Sequence, residues 1–372
     1  MSALFSPFQL KDVRLRNRVA VPPMCQYSAI EGCTTEWHQV HYPALARGGA
    51  GLVIVEATGV SPDGRITPAC TGLWNEAQSE GMARIAAGIR VAGAVPGIQI
   101  AHAGRKASAN RPWEGDNHIP AGDVRAWQPL APSAIAYGGH LSRVPREMTI
   151  EDIDRVRGDF VAAARRARDA GFQWLELHFA HGYLAQSFFS PHSNLRTDAY
   201  GGTAEQRGRF LTETVAAVRD VWPERLPLAA RFGVIEYDGH DAQTLADSIA
   251  QVQRMRAAGL DFLSVSVNFV IAETQIPWGT PAFLAPLAER VRREAALPVA
   301  AAWGIDDPQV AERTVASGQL DLVMMGRAHL ANPHYPRDLA RALGVQSADW
   351  ILPAPYAHWL QRYGGAAASP RK

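Results

Sequence analysis

Along the chain, short runs of apolar residues alternate with longer stretches in which apolar positions return every three or four residues. The short runs predict eight strands: Arg18 to Pro22, Gly51 to Ala57, Gly97 to Ala101, Trp174 to His178, Leu226 to Phe232, Asp261 to Val267, Pro298 to Ala302 and Leu320 to Met325. Several, such as Leu52-Val53-Ile54-Val55, are apolar without interruption, as parallel strands covered by helices on both faces must be. Between them, Ile153, Val156, Phe160, Ala164 and Ala167 trace one face of a helix. Thr149 with Asp152 opens that helix as a capping box, and Gly171 follows its last turn. The same grammar recurs in Leu245, Ile249, Val252 and Met255 before Gly259, and in Leu284, Leu287 and Val291 before Pro298. No sequence repeat of fixed period accompanies it.

Eight strand and helix units predict an α/β fold, a (β/α)8 TIM barrel with loop insertions on its C-terminal face. An open doubly wound sheet would call for a glycine-rich turn after the first strand, and Pro22-Pro23-Met24-Cys25 is no such turn. No Pro, Gly or Ser-rich linker divides the chain, so one domain is expected over 1–364, with 365–372 as a flexible tail. A barrel typically takes about 250 residues, which leaves roughly 120 of the 372 to be located. The expected places are 108–148 after the third strand, with a small hairpin or lid, 186–203 after the fourth, and the stretch beyond His329.

Composition narrows the ligand class. With 47% hydrophobic and 20% charged residues, disorder, collagen and coiled coil are excluded as overall descriptions. Thirty-seven basic against thirty-six acidic residues give no electrostatic reason to expect nucleic acid or an anionic membrane, so a small molecule is the expected partner. Three cysteines without paired spacing argue against a disulfide framework. Met1 to Leu10 has no basic stretch followed by an apolar one, and no apolar run reaches about 18 residues, so a cytoplasmic protein is expected.

Active sites of such barrels lie where the strands end. There the chain carries Pro23 to Tyr27, Ala57, Gln99 with His102 to Lys106, His178 to Tyr183, Arg231, Trp303-Gly304 and Gly326-Arg327. Polar and aromatic groups crowd one rim. His178 and His181, three apart, could ligate a metal, but no third ligand is near in sequence and no metal is expected. Gly304 and Gly326 let the backbone approach a phosphate, and Arg327 adds a charge, features that suit any phosphorylated ligand.

Five segments go further: Pro23-Met24-Cys25-Gln26-Tyr27, His102-Ala103-Gly104-Arg105-Lys106, His178 to Tyr183, Arg196 to Gly202 and Met325-Gly326-Arg327. In these, in this order, the chain resembles the Old Yellow Enzyme family of FMN-dependent ene-reductases from Leu4 to about Gly364. Cys25 and the His-x-x-His pair resemble the branch that contains xenobiotic reductase A and the thermophilic-like enzymes.

The resemblance implies bound FMN, NADPH or NADH as reductant, and reduction of the activated C=C bond of α,β-unsaturated carbonyl or nitro compounds in two half-reactions at one site. His178 and His181 then hold the substrate oxygen and Tyr183 supplies a proton, with Tyr27, Trp303 and Trp359 completing the substrate pocket. Pro22, Pro23, Met24, Cys25, Ala57, Gln99, Arg231, Trp303, Gly304, Gly326, Arg327 and Arg362 are the flavin residues it implies. Arg231 answers the negative charge of reduced flavin near N1, and Cys25 tunes its potential. A homodimer or larger even assembly follows, with Arg362 near a neighbouring subunit. Two departures stand out: Leu195 replaces a basic residue, and Thr203-Ala204-Glu205-Gln206-Arg207 replaces a Ser-x-Glu-Asn-Arg pattern. A different FMN barrel and a non-catalytic flavin or phosphate binder are the competing readings.

Overall fold

The computed structural model describes residues 2–363, so the tail expected at 365–372 lies outside the described residues. A hairpin of β1 (Phe8–Leu10) and β2 (Val13–Leu15) comes first, pairing Phe8 with Leu15. Then come β3 (Val19–Val21), β4 (Leu52–Gly59) and β5 (Val95–Ala101), the short pair β6 (Leu130–Ala131) and β7 (Arg146–Glu147), and β8 (Trp174–Phe179). The chain continues through β9 (Leu228–Ile235), β10 (Phe262–Val267), β11 (Val299–Ala301) and β12 (Leu322–Met324). Strands β3, β4, β5, β8, β9, β10, β11 and β12 close a parallel barrel, sealed where β12 meets β3 through Val323 with Val19 and Met324 with Ala20. All eight expected strands are these eight.

Helices cover the outside for the reason their sequences suggest. In the helix Ile150–Asp169, Ile153, Val156, Phe160, Ala163, Ala164 and Ala167 are buried. Thr149 and Asp152 exchange both bonds of the capping box, and Gly171 takes φ +86° just past the end. In the helix Ala285–Ala295, Ala288 rather than Leu287 is fully buried alongside Val291, a one-position rotation of the expected face.

Three expectations need correction. In the segment 108–148 the strands β6 and β7 run parallel, Leu130 beside Arg146, and the expected hairpin is reduced to a single antiparallel bridge between Gly138 and Leu141. Strand β9 runs on through Phe232, Gly233 and Val234 to Ile235, so Arg231 lies inside the barrel wall and not at the strand's end. Likewise Ala57 lies within β4, at an irregularity where the pairing with β5 shifts between Val55 and Thr58. The β1–β2 hairpin was not foreseen. It packs Phe8 edge-on against Phe262 at 6.2 Å, and Phe262 in turn meets Trp174 at 4.9 Å, so aromatic rings stopper the end where strands begin.

Candidate active site

Side chains alternate across a strand, so Glu176 and His178 on β8 share one face while Leu175 and Leu177 take the other. That shared face is the lumen, because Ser264 on β10 donates to Glu176 across the width of the intervening β9. Gln99 on β5 donates to the same carboxylate at 2.7 Å, leaving its amide oxygen and a second N–H free. Burial pushes the Glu176 carboxyl above its usual range. One layer higher, Arg231 stands in register between His178 and Ser264.

Arg231 is only 7% exposed, and among the described residues its guanidinium has neither a hydrogen bond nor an ion pair within the chain. The guanidinium lies over the Trp303 ring, 5.6 Å from the centroid. A buried cation that no carboxylate contacts is costly, so this group is placed for an anionic ligand. Burial lowers its pKa, while Glu176 partly offsets that.

The chain beyond β8 turns sharply and brings three polar rings together. His178 and His181 lie 5.0 Å apart, His178 and Tyr183 4.9 Å, and His181 and Tyr183 6.4 Å, centroid to centroid. The turn needs His181 at φ +61° and Gly182 at φ +67°, and a Cβ on Gly182 would meet the Phe269 carbonyl oxygen at 2.2 Å. Burial, reinforced by Arg231, holds both imidazoles well below their usual pKa, so both are neutral. The Ala180 N–H donates to His178 Nδ1 at 3.3 Å, which fixes the proton on Nε2, free to be donated. His181 Nε2 lies 2.8 Å from Ser266 Oγ. Burial pushes the Tyr183 phenol well above its ordinary value, so it is protonated, and its hydroxyl makes no hydrogen bond among the described residues.

Opposite, Pro22 to Tyr27 lines the rim after β3. Glu56 anchors this segment by accepting the Gln26 N–H at 2.8 Å and the Tyr42 hydroxyl at 2.8 Å. Burial, then the charges of Cys70 and Glu56, raises the Cys25 thiol well above its usual pKa, which disfavours a nucleophilic thiolate. Tyr27, at φ +49°, is pushed up by burial too. Gly304 takes φ +65° and a Cβ there would meet the Ala282 nitrogen at 2.9 Å. At Gly326 a Cβ would meet Met24 Sδ at 3.1 Å, so Gly326 keeps its loop open beside Pro22 and Met24, and Gly304 does so beside Pro281 and Ala282. Gly304 and Arg327 are exposed on that rim.

Trp359 and Arg362 do not join this constellation in their own chain. Trp359 is 69% exposed on the helix Ala354–Leu360, and Arg362 is exposed just after it. The tail is tied to the other end of the barrel by Arg16, which precedes β3 and donates to the Ile351 carbonyl at 3.3 Å, and is braced within itself by the Arg337–Asp349 pair. The two departures are absorbed by backbone contacts: Leu195 points outward while its N–H donates to Ser133 at 2.9 Å, and Thr203 with Gln206 forms a capping box.

Several residues with a part in the site were not singled out from sequence. Lys106 donates to the carbonyls of His181 and Phe269, both at 2.8 Å, and so ties the loop after β8 to the loop after β10. Burial brings its pKa down to about 7. Its place in the segment His102 to Lys106 was the available signal. Glu176, Ser264 and Ser266 were legible only as polar letters inside strand runs.

The residues present fit FMN: an unpartnered buried guanidinium, a Gln99 amide with free donor and acceptor, and glycine-lined backbone at the last two loops. Comparison with known proteins agrees. Residues 3–346 match the NADH:flavin oxidoreductase / NADH oxidase family. An NADPH dehydrogenase of Geobacillus thermodenitrificans is 40% identical over 347 residues, 93% of this chain and 96% of that one. Morphinone reductase superposes with a TM-score of 0.77 at 27% identity, covering 92% of this chain and 90% of that one. The Old Yellow Enzyme homologue from Zymomonas mobilis gives 0.77 at 26% identity, covering 95% and 98%.

Proposed function

The chain belongs to the NADH:flavin oxidoreductase / NADH oxidase family, and from that premise we propose that it reduces the activated C=C bond of α,β-unsaturated carbonyl compounds, and of nitro-activated alkenes. It is an NAD(P)H-dependent flavin oxidoreductase of the Old Yellow Enzyme type. FMN, when bound, supplies the hydride taken from NADPH or NADH. The observation that carries the alkene reading is the cluster of two neutral imidazoles and one free phenol within 5.0 Å, 4.9 Å and 6.4 Å of each other beside Arg231.

His178 donates from Nε2 to the oxygen of the electron-withdrawing group. His181 can do the same from Nδ1 provided Ser266 donates its hydroxyl proton to Nε2, so the serine sets the tautomer. Negative charge grows on that oxygen as the β-carbon is reduced, and donors already aimed there stabilise the transition state more than the ground state. Tyr183 then gives its proton to the α-carbon, and its raised pKa keeps that proton available across the neutral range. Arg231 compensates charge on the reduced cofactor, Gln99 uses its free amide atoms on it, and Cys25 stays a thiol beside it.

This reading also covers organisation: one FMN-binding domain over 1–364, a cytoplasmic location, and a homodimer or larger even assembly. Free cysteines are in keeping with a reducing compartment. Exposed Trp359 and Arg362, remote from their own barrel mouth, support a role toward a neighbouring copy. The deciding experiment supplies the FMN-loaded protein with NADPH and 2-cyclohexenone in D2O. Cyclohexanone carrying solvent deuterium at the α-carbon alone is expected. NADPH consumption that leaves the enone intact would overturn the reading.

A further inference from the structure

Aromatic side chains continue outward from His181 to the surface. Phe269 lies 5.7 Å and Trp303 5.9 Å from the imidazole, centroid to centroid. Trp278 packs on both, parallel and offset from Phe269 at 6.2 Å and edge-on to Trp303 at 5.6 Å. Phe283 backs the group, stacked on Trp303 at 6.2 Å and edge-on to Trp278 at 5.9 Å. Despite these neighbours, Trp278 remains 56% exposed. An indole gripped on several sides yet half bare is held in place without being covered.

The loop that carries it is braced. Lys106 holds the Phe269 carbonyl, Glu236 accepts the N–H groups of Val270 and Ile271 at 2.8 and 3.1 Å, and Arg105 binds the Val270 carbonyl. At the other end the Ala282 N–H donates to the Gly304 carbonyl at 2.9 Å. A wall ordered before binding avoids the entropy cost of fixing loops around a ligand. Across the barrel mouth, Tyr27 meets the 66% exposed Trp113 edge-on at 5.8 Å, so a second half-bare tryptophan stands on the far rim.

We propose that Trp278, with Phe269, forms an outer aromatic subsite of the same pocket, which stacks the distal ring of fused bicyclic and larger planar conjugated carbonyl compounds. The proposal rests on the assignment of His178 and His181 as the oxygen clamp. A single-ring substrate held by that pair is served by the inner wall of Trp303 and Phe269, whereas a second fused ring extends to where the indole is bare. Offset stacking of this kind strengthens binding by roughly threefold to tenfold.

The test is direct binding to the FMN-loaded protein, with phenol and 2-naphthol titrated against the flavin absorbance in the unsubstituted protein, Trp278→Ala and Trp278→Phe. The Ala variant is expected to weaken 2-naphthol roughly threefold to tenfold while phenol changes less than twofold, and the Phe variant to recover most of the difference. Equal weakening of both ligands, no weakening of 2-naphthol, or an effect confined to the KM for NADPH would overturn the subsite. Flavin content and melting temperature verify that each variant is folded. Because the titration involves no turnover, a failure of the unsubstituted protein to reduce 2-cyclohexenone would refute the alkene assignment while leaving this comparison readable.

Discussion

The two ends of the barrel are built from the same eight strands and could hardly differ more in their chemistry. Where the strands begin, the β1–β2 hairpin presses Phe8 on Phe262, and Phe262 on the fully buried Trp174. Toward the other end, the lumen holds Glu176, His178 and Arg231, all buried and polar. The rim also carries backbone strain: Tyr27, His181, Phe269 and Trp303 take positive φ there, which costs about 1–3 kcal/mol for each such residue and persists because the surroundings enforce it, although Lys11 and Ala296 at the base take positive φ as well. The base stabilises the fold by packing, and that stability holds the rim in a conformation it would not adopt alone. The unpartnered charge of Arg231 therefore marks the working end more clearly than backbone strain, which both ends carry.

Substitutions that separate the ends test this contrast. The largest expected effect is at the base: Phe262→Ala should lower unfolding free energy by about 3–5 kcal/mol in denaturant titration, with turnover of the folded protein unchanged. A loss of catalysis without a loss of stability would break the division. In the lumen below the rim, Arg231→Met should leave stability equal or higher, since a buried charge is replaced by an apolar chain of similar length. It should slow cofactor reduction by NADPH roughly 10²- to 10³-fold or release the FMN, as read by stopped-flow absorbance and flavin content.

A smaller effect sharpens the tautomer argument. Ser266→Ala frees His181 Nε2 to hold the proton, and phenol affinity should fall about tenfold, in keeping with the loss of one hydrogen bond. Unchanged affinity would mean that His181 donates without help from Ser266. The smallest effect is on pH dependence. His178 and His181 are held well below the ordinary histidine value, so below about pH 6.5 the unfolded chain binds more protons than the folded one. Stability should therefore fall as pH drops from about 6.5, and the His178→Gln, His181→Gln double variant should lose part of that slope in thermal melts.

Much of the architecture was legible because it rests on local pattern. Short, largely apolar runs marked all eight barrel strands, and Thr149 with Asp152 marked a helix start that the capping box confirms. Strand ends were less legible. Apolar letters continue past Arg231, and whether Phe232 to Ile235 extend the wall or leave it depends on partners in β8 and β10. The β1–β2 hairpin was missed because three-residue strands carry almost no periodicity. In the site, His178, His181, Tyr183, Gln99 and Arg231 were named by resemblance and the fold brings them together, but Trp359 and Arg362 were named the same way and are not brought to this mouth. Ser266, Lys106 and Trp278 matter through contacts between loops and strands far apart in the chain, a kind of information a linear pattern does not hold.

The most direct test of the rim as an alkene-reducing site is rapid mixing of FMN-loaded Tyr183→Phe under anaerobic conditions, first with NADPH and then with 2-cyclohexenone. The geometry predicts cofactor reduction at the unsubstituted rate, followed by reoxidation slowed roughly 10²- to 10⁴-fold, because only the second half-reaction needs the phenol's proton. Reoxidation by the enone at the unsubstituted rate would contradict it.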